Sequence, residues 1–149
     1  MLQKRIDTGS IPFGLAVAGE DIVKGSAVVV KNVEGVLTAT YPTTADEAKA
    51  VKGFATLRID TKEGADKDHD VIKKGQRLVI YTLVKDNMWA TTQFTGVIAA
   101  GDGLAVGYET GDKGKLRKIK DLEVAQFEAY EKFEAGAGYT DEMLEVFVK

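Results

Sequence analysis

Lys24-Gly25-Ser26-Ala27-Val28-Val29-Val30 is the stretch whose reading decides the fold class. A glycine turn and two spacer residues feed an apolar run ending in three valines. β-Branched side chains are stiff at χ1 and suit a pleated strand better than a helix. The same opening recurs in Lys74-Gly75-Gln76-Arg77-Leu78-Val79-Ile80 and in Ala100-Gly101-Asp102-Gly103-Leu104-Ala105-Val106. The first and third of these lead on to Gly35-Val36-Leu37 and Gly114-Lys115-Leu116. Two explanations stand side by side: convergent turn chemistry, or a barrel built from related hairpins. The spacing is irregular, which excludes a solenoid.

Outward from these runs, alternating or continuous apolar stretches between glycines predict strands at 13–18, 26–31, 36–41, 53–60, 76–84 and 88–93. Further strands are expected at 95–99, 103–108 and 115–119. Many short strands with regular turn signals point to a mainly β chain, a small barrel or sandwich. Residues 43–51 break the pattern with a capping-type start and Ala-rich helix formers, so one short helix is expected. The tail is ambiguous. Val124, Phe127, Tyr130 and Phe133 recur every third residue as in a helix, while Ala125, Phe127, Ala129 and Glu131 alternate as in a strand. The reading adopted is strand–turn–strand over 124–148, broken at Gly136-Ala137-Gly138.

At 149 residues the chain is long enough for one domain that buries roughly 70% of its unfolded surface. The expected division is an extended N-terminal arm at 1–11 and a barrel-type body at 12–149. Pro12 holds Ile11 extended at the junction. A polar excursion loop runs from Asp60 to Lys74.

The exclusions are broad. Cysteine is absent, which removes disulfide scaffolds, thiolate metal sites and cysteine nucleophiles. His69 is the one histidine, which removes any multi-histidine metal site. A net charge of −3 argues against a general nucleic-acid binder. No stretch approaches the ~20 apolar residues of a membrane span. Met1 to Asp7 lacks the apolar core of a secretory signal. Ser10 and Ser26 are the only serines, and neither lies in a nucleophile elbow.

Asp66, Asp68 and Asp70 open like a calcium loop. Val71 then stands where a glycine is needed, and Arg77 where the bidentate glutamate belongs, so the EF-hand pattern fails. A looser calcium site with Glu63 and a plain solvated acidic loop both remain, and the second is the reading adopted. His69, inside that loop, is read as a surface histidine rather than a base. Gly101, Gly103 and Gly107 have the wrong spacing for a dinucleotide fingerprint and open a strand, not a helix. The expectation is a protein without catalytic residues, metal or cofactor, and so not an enzyme.

Charge is uneven. Residues 121–149 hold eight acids and two bases, a balance of −6, while the other 15 acids and 18 bases give +3. Lys113, Lys115, Arg117, Lys118 and Lys120 cluster around Leu116 and Ile119. Three readings are ranked: protection of an exposed strand edge, docking to an acidic protein surface such as a neighbouring copy's tail, and nucleic acid last.

Taken together, Pro12-Phe13-Gly14-Leu15-Ala16-Val17-Ala18, Lys24 to Val30, Gly53-Phe54-Ala55-Thr56-Leu57-Arg58, Gly75 to Tyr81 and the segment Phe94 to Leu116 resemble small structural proteins of tailed bacteriophages. The group they are most similar to is the capsid decoration, or cement, proteins. The resemblance spans roughly 12–120, with 143–148 added at the tail, and rests on glycine-and-strand rhythm rather than on a diagnostic motif.

It implies a β-barrel or β-tulip-like body on the outer surface of the phage head. Such a protein is made in the host cytoplasm and bridges major capsid subunits to stabilise the mature shell. It also implies the major capsid protein as partner, with copies of the chain itself as another and a trimer among the options. Nucleic acid and membrane are not expected partners. The contact residues expected on this reading are Gln3, Lys4, Arg5 and Ile6 of the arm, and Glu63, Asp66, Asp68 and His69 of the loop. Trp89 and Phe94 complete the set, although Trp89 fits a core equally well. Two other classes stay open: another phage module (tail tube, head-fibre base or receptor-binding part), and a carbohydrate- or calcium-binding β-domain.

Overall fold

Apolar runs too continuous for a one-sided sheet imply strands buried on both faces. The computed structural model, which describes residues 2–6, 12–57, 71–134 and 142–149, shows how. Five strands close into a barrel: β2 (Pro12–Ala18), β4 (Ala27–Val33), β5 (Val36–Thr40), β6 (Gly53–Thr56) and β8 (Arg77–Thr82), in the order β2-β5-β4-β6-β8. β2 and β5 run parallel, and the other neighbours run antiparallel. Two short strands, β3 (Ile22–Val23) and β7 (Val71–Ile72), pair as a ribbon that adds Ile22 and Ile72 to the barrel interior.

A six-stranded antiparallel sheet lies against the barrel. Its members are β1 (Leu2–Ile6), β9 (Met88–Thr91), β10 (Gly103–Val106), β11 (Leu116–Lys118), β12 (Phe127–Glu134) and β13 (Glu142–Val148). Their order is β1-β9-β13-β12-β10-β11. The valine run of β4 now has its reason. Val28 faces the barrel interior, while Ala27 and Val29 face the layer shared with the sheet. Ala55 and Phe54 divide in the same way on β6. That shared layer holds Trp89, Phe127, Leu104, Leu144 and Val146.

The short helix, α1 (Ala45–Lys49), sits where the composition placed it. The Thr44 hydroxyl caps it by accepting from Glu47 N at 3.2 Å. Glu47 reaches back to accept from Thr43 N at 2.8 Å and pairs with Lys31. Gln126 Nε2 donates to Ala48 O at 3.0 Å, which ties the helix to the sheet.

The tail is two strands, β12 and β13. A bulge shifts its register between Ala129 and Lys132. One extra residue flips the faces, so Phe127 and Ala129 enter the main core, whereas Phe133 packs with Met143 and Ala90 in a separate cluster.

Three differences from the sequence reading stand out. Residues 95–99 form no strand; Phe94 makes a single bridge to Leu116 instead. The arm is not separate from the body: β1 pairs with β9, Leu2 opposite Thr91 and Lys4 opposite Trp89. The ribbon strands β3 and β7 are too short to leave a periodic signal.

The repeated glycine openings are one device. In each, a β-turn hydrogen bond closes (Ser26 N to Val23 O, Gln76 N to Lys73 O, Asp102 N to Ala99 O) with a left-handed glycine at the third position. In each, that glycine's N–H donates to a neighbouring segment, to Ala55 O, Ala18 O or Ala129 O, at 2.7–2.8 Å. Glycine adopts this φ without steric cost.

Candidate partner-docking site

Of the expected contact residues, Glu63, Asp66, Asp68 and His69 lie outside the described residues. Gln3, Lys4, Arg5 and Ile6 form an edge strand held by β9. Trp89 is a correction. It is 0% exposed, with its ring centroid 5.0 Å from that of Tyr81 and 6.3 Å from that of Phe54. A side chain enclosed on every face is unavailable to a partner. Phe94 is half-buried against the same core, with Lys132 Nζ 5.9 Å from its ring centroid. Trp89 and Phe94 therefore belong to one core and form no exposed aromatic platform.

The basic cluster also divides. Arg117 is buried, and its guanidinium donates two bonds to the Glu123 carboxylate, at 2.7 and 2.8 Å. Asp112 lies 3.7 Å from its Nε, and the Tyr108 ring centroid lies 6.0 Å from its Cζ. A bidentate pair of this kind is strong and fixes orientation. Hydrogen bonds from Arg117 hold the Glu123 carboxyl down at about 2, against the burial that raises it. The same bonds raise the Arg117 value. Lys118 pairs with Asp102 at 3.1 Å and Lys120 with Glu109 at 3.0 Å. β11 is the outer strand of the sheet, so edge protection fits its position, but most of this charge is answered within the chain.

What the ion pairs build is a turn. Glu123 N donates to Lys120 O at 3.1 Å, and Lys120 N donates to the Glu123 carboxylate at 2.6 Å. Leu122 stands at the tip, fully exposed, with a left-handed φ of 67°. Val124, 84% exposed, follows it, and Ile119 is exposed before it. Elsewhere on the sheet, Ile98, Ala99, Ala100, Ala129, Tyr130, Glu131, Lys132 and Leu144 line a hollow of about 190 Å³. Val97, next to Ile98 in the chain, is 89% exposed.

Sequence reasoning missed that Leu122, Val124, Val97 and Tyr130 are exposed. The available signal was a lone leucine among charges in Lys120-Asp121-Leu122-Glu123. Of these, Leu122 and Val124 stand two residues apart in the segment after β11. The chemistry offered is adhesion: apolar side chains held on a rigid turn, with charges already paired.

No family model matches the chain, and no curated protein matches it. Among solved structures it is similar to the head fiber gp8.5 N base in bacteriophage phi29. The likeness is one of fold. The TM-score is 0.55 at 12% identity, and the match covers 95% of each chain. It includes barrel and sheet together, since neither alone could account for that coverage.

Proposed function

We propose that this chain is a non-enzymatic structural protein of a bacteriophage particle that binds the outer surface of the head. The observation that carries this reading is the end-to-end fold likeness to a phage head-fibre base. The exposed Ile119, Leu122 and Val124 after β11 support it, because a head protein works by contact. In the first form of the reading, the chain bridges neighbouring major capsid subunits and stabilises the mature shell. A ligand that binds the assembled shell but not its dispersed subunits stabilises the shell by mass action. Many weak copies, each touching two subunits, hold collectively. In the second form, which the likeness favours specifically, the chain is the base on which a fibre stands.

Co-sedimentation of the purified chain with mature heads tests the reading. Saturable binding to heads, with none to unassembled capsid subunits, is expected. No association with heads overturns it. A particle map separates the two forms: a fibre rising from each bound copy selects the base, and bare copies with a raised rupture temperature select the cement.

A further inference from the structure

The end of β13 is locked to the turn at 84–87. Asn87 N donates to Val84 O at 3.1 Å and closes the turn, with Asp86 at a left-handed φ of 68° that aspartate tolerates. Asp86 N donates to Val148 O and Val148 N to Asn87 O, each at 2.9 Å, and Lys149 N donates to Gln126 O at 3.0 Å. On the neighbouring strand, Glu128 stands opposite Phe147. These segments enclose a hollow of about 330 Å³, lined by Lys85, Asp86, Glu128, Phe147, Val148 and Lys149. Pockets for small ligands begin at about 300 Å³.

The lining selects the chemistry of an occupant. Its side-chain charge is zero, two lysines against two carboxylates, so a charged ligand finds no net attraction. The main-chain groups just named are bonded to one another, so they present no open edge to an added peptide strand. What the hollow offers is side chains: ammonium donors, carboxylate acceptors and an aromatic ring. Lys85 and Asp86 are exposed and make no ion pair among the described residues. Lys149 reaches the Glu128 carboxylate at 3.6 Å with both side chains half in solvent, a loose pair that a ligand can open. Tyr130, 51% exposed, extends the aromatic surface beyond Phe147; the ring centroids are 5.4 Å apart and the planes stand at 81°.

We propose that this hollow is a binding site for an uncharged sugar. A pyranose presents a C–H face that packs on an aromatic ring and a rim of hydroxyls that both donate and accept. Phe147 supplies the ring, Asp86 and Glu128 accept from hydroxyls, and Lys85 and Lys149 donate to them. Hydrogen bonds with one ionised partner are the strong ones. The site goes beyond head binding and does not rest on it.

An amide NMR titration of the full 149-residue chain tests it. The uncharged probes are N-acetylglucosamine, galactose and maltose; glucuronate is the charged probe and a capped triglycine the peptide probe. At least one uncharged sugar is expected to shift the Lys85, Asp86, Phe147 and Lys149 signals saturably, with a Kd of roughly 1–10 mM. Glucuronate and triglycine should give no saturable shift. Asp86→Asn keeps a residue that tolerates the left-handed turn and should weaken sugar binding roughly tenfold. Phe147→Ala should abolish it. The proposal is overturned if none of the three sugars saturates these signals, or if glucuronate or triglycine binds as tightly as the best sugar. Unchanged affinity in Asp86→Asn also overturns it, which keeps the test decisive should Phe147→Ala fail to fold. No heads enter the titration, so a chain that binds sugar but not heads loses only the head reading, and one that binds heads but not sugar loses only this site.

Discussion

Four of the ten buried residues that fill the barrel are alanines (Ala16, Ala18, Ala39 and Ala55), whereas the layer between barrel and sheet is built around Trp89, Phe54 and Phe127. Geometry explains the contrast. Eight strands leave a bore that side chains just fill, so five leave one that small residues must line. Stacked layers stand about 10 Å apart, which takes aromatic rings. The edges differ as well. Closure leaves the barrel none, while the sheet ends at β1 and β11. The exposed turn with Leu122 follows directly from β11. The closed half has no free strand edge, and the open half carries the exposed turn with Leu122.

Changes of opposite sense should break the two halves. Trp89→Ala, which hollows the shared layer, is expected to cost about 3–5 kcal/mol in urea unfolding. A cost under about 1 kcal/mol would mean that the layer collapses freely and that the contrast is false. Ala55→Leu, which overfills the bore, is expected to cost about 1–3 kcal/mol. Tolerance of that leucine would show the barrel to be loosely filled.

Acid should act on the sheet half through Glu123. Its folded carboxyl sits at about 2 against an ordinary 4.5, so its contribution is complete above pH 4.5 and is lost as pH falls toward 2. Glu123→Gln should destabilise the wild type at pH 7, and the gap in melting temperature should narrow by pH 3. A gap that stays constant over that range would show that the ion pair does not support the turn. The smallest effect should come from the helix that joins the halves. Thr44→Ala removes its cap and is expected to cost about 1 kcal/mol, read as a shift in the urea midpoint.

Much of the fold was legible in order along the chain. β-Branched runs and glycine turns marked the strands at 13–18, 26–31, 36–41 and 103–108 to within about two residues, because pattern and propensity agreed there. Thr44 and the Ala-rich stretch after it marked α1 for the same reason. Residues 95–99 misled, since an apolar stretch needs a partner strand and this one finds only the Leu116 bridge. The arm misled because β9's free edge, which holds β1, is a property of the sheet and leaves no mark on residues 2–6. Trp89 and Phe94 could not be assigned to core or surface from their identity alone, since tryptophan and phenylalanine serve both.

Local chemistry alone set the mainly β class, the turn positions and the short helix at 45–49, because glycine's left-handed φ, threonine's capping hydroxyl and β-branched stiffness act within a few residues. Which strands close into a barrel and which lie against it came from long-range pairing. It also decided that Arg117 leaves the basic cluster to hold Glu123, and that Leu122 is lifted into solvent at the tip of a turn. Those outcomes depend on pairings between residues far apart in the chain, whose burial no local pattern records.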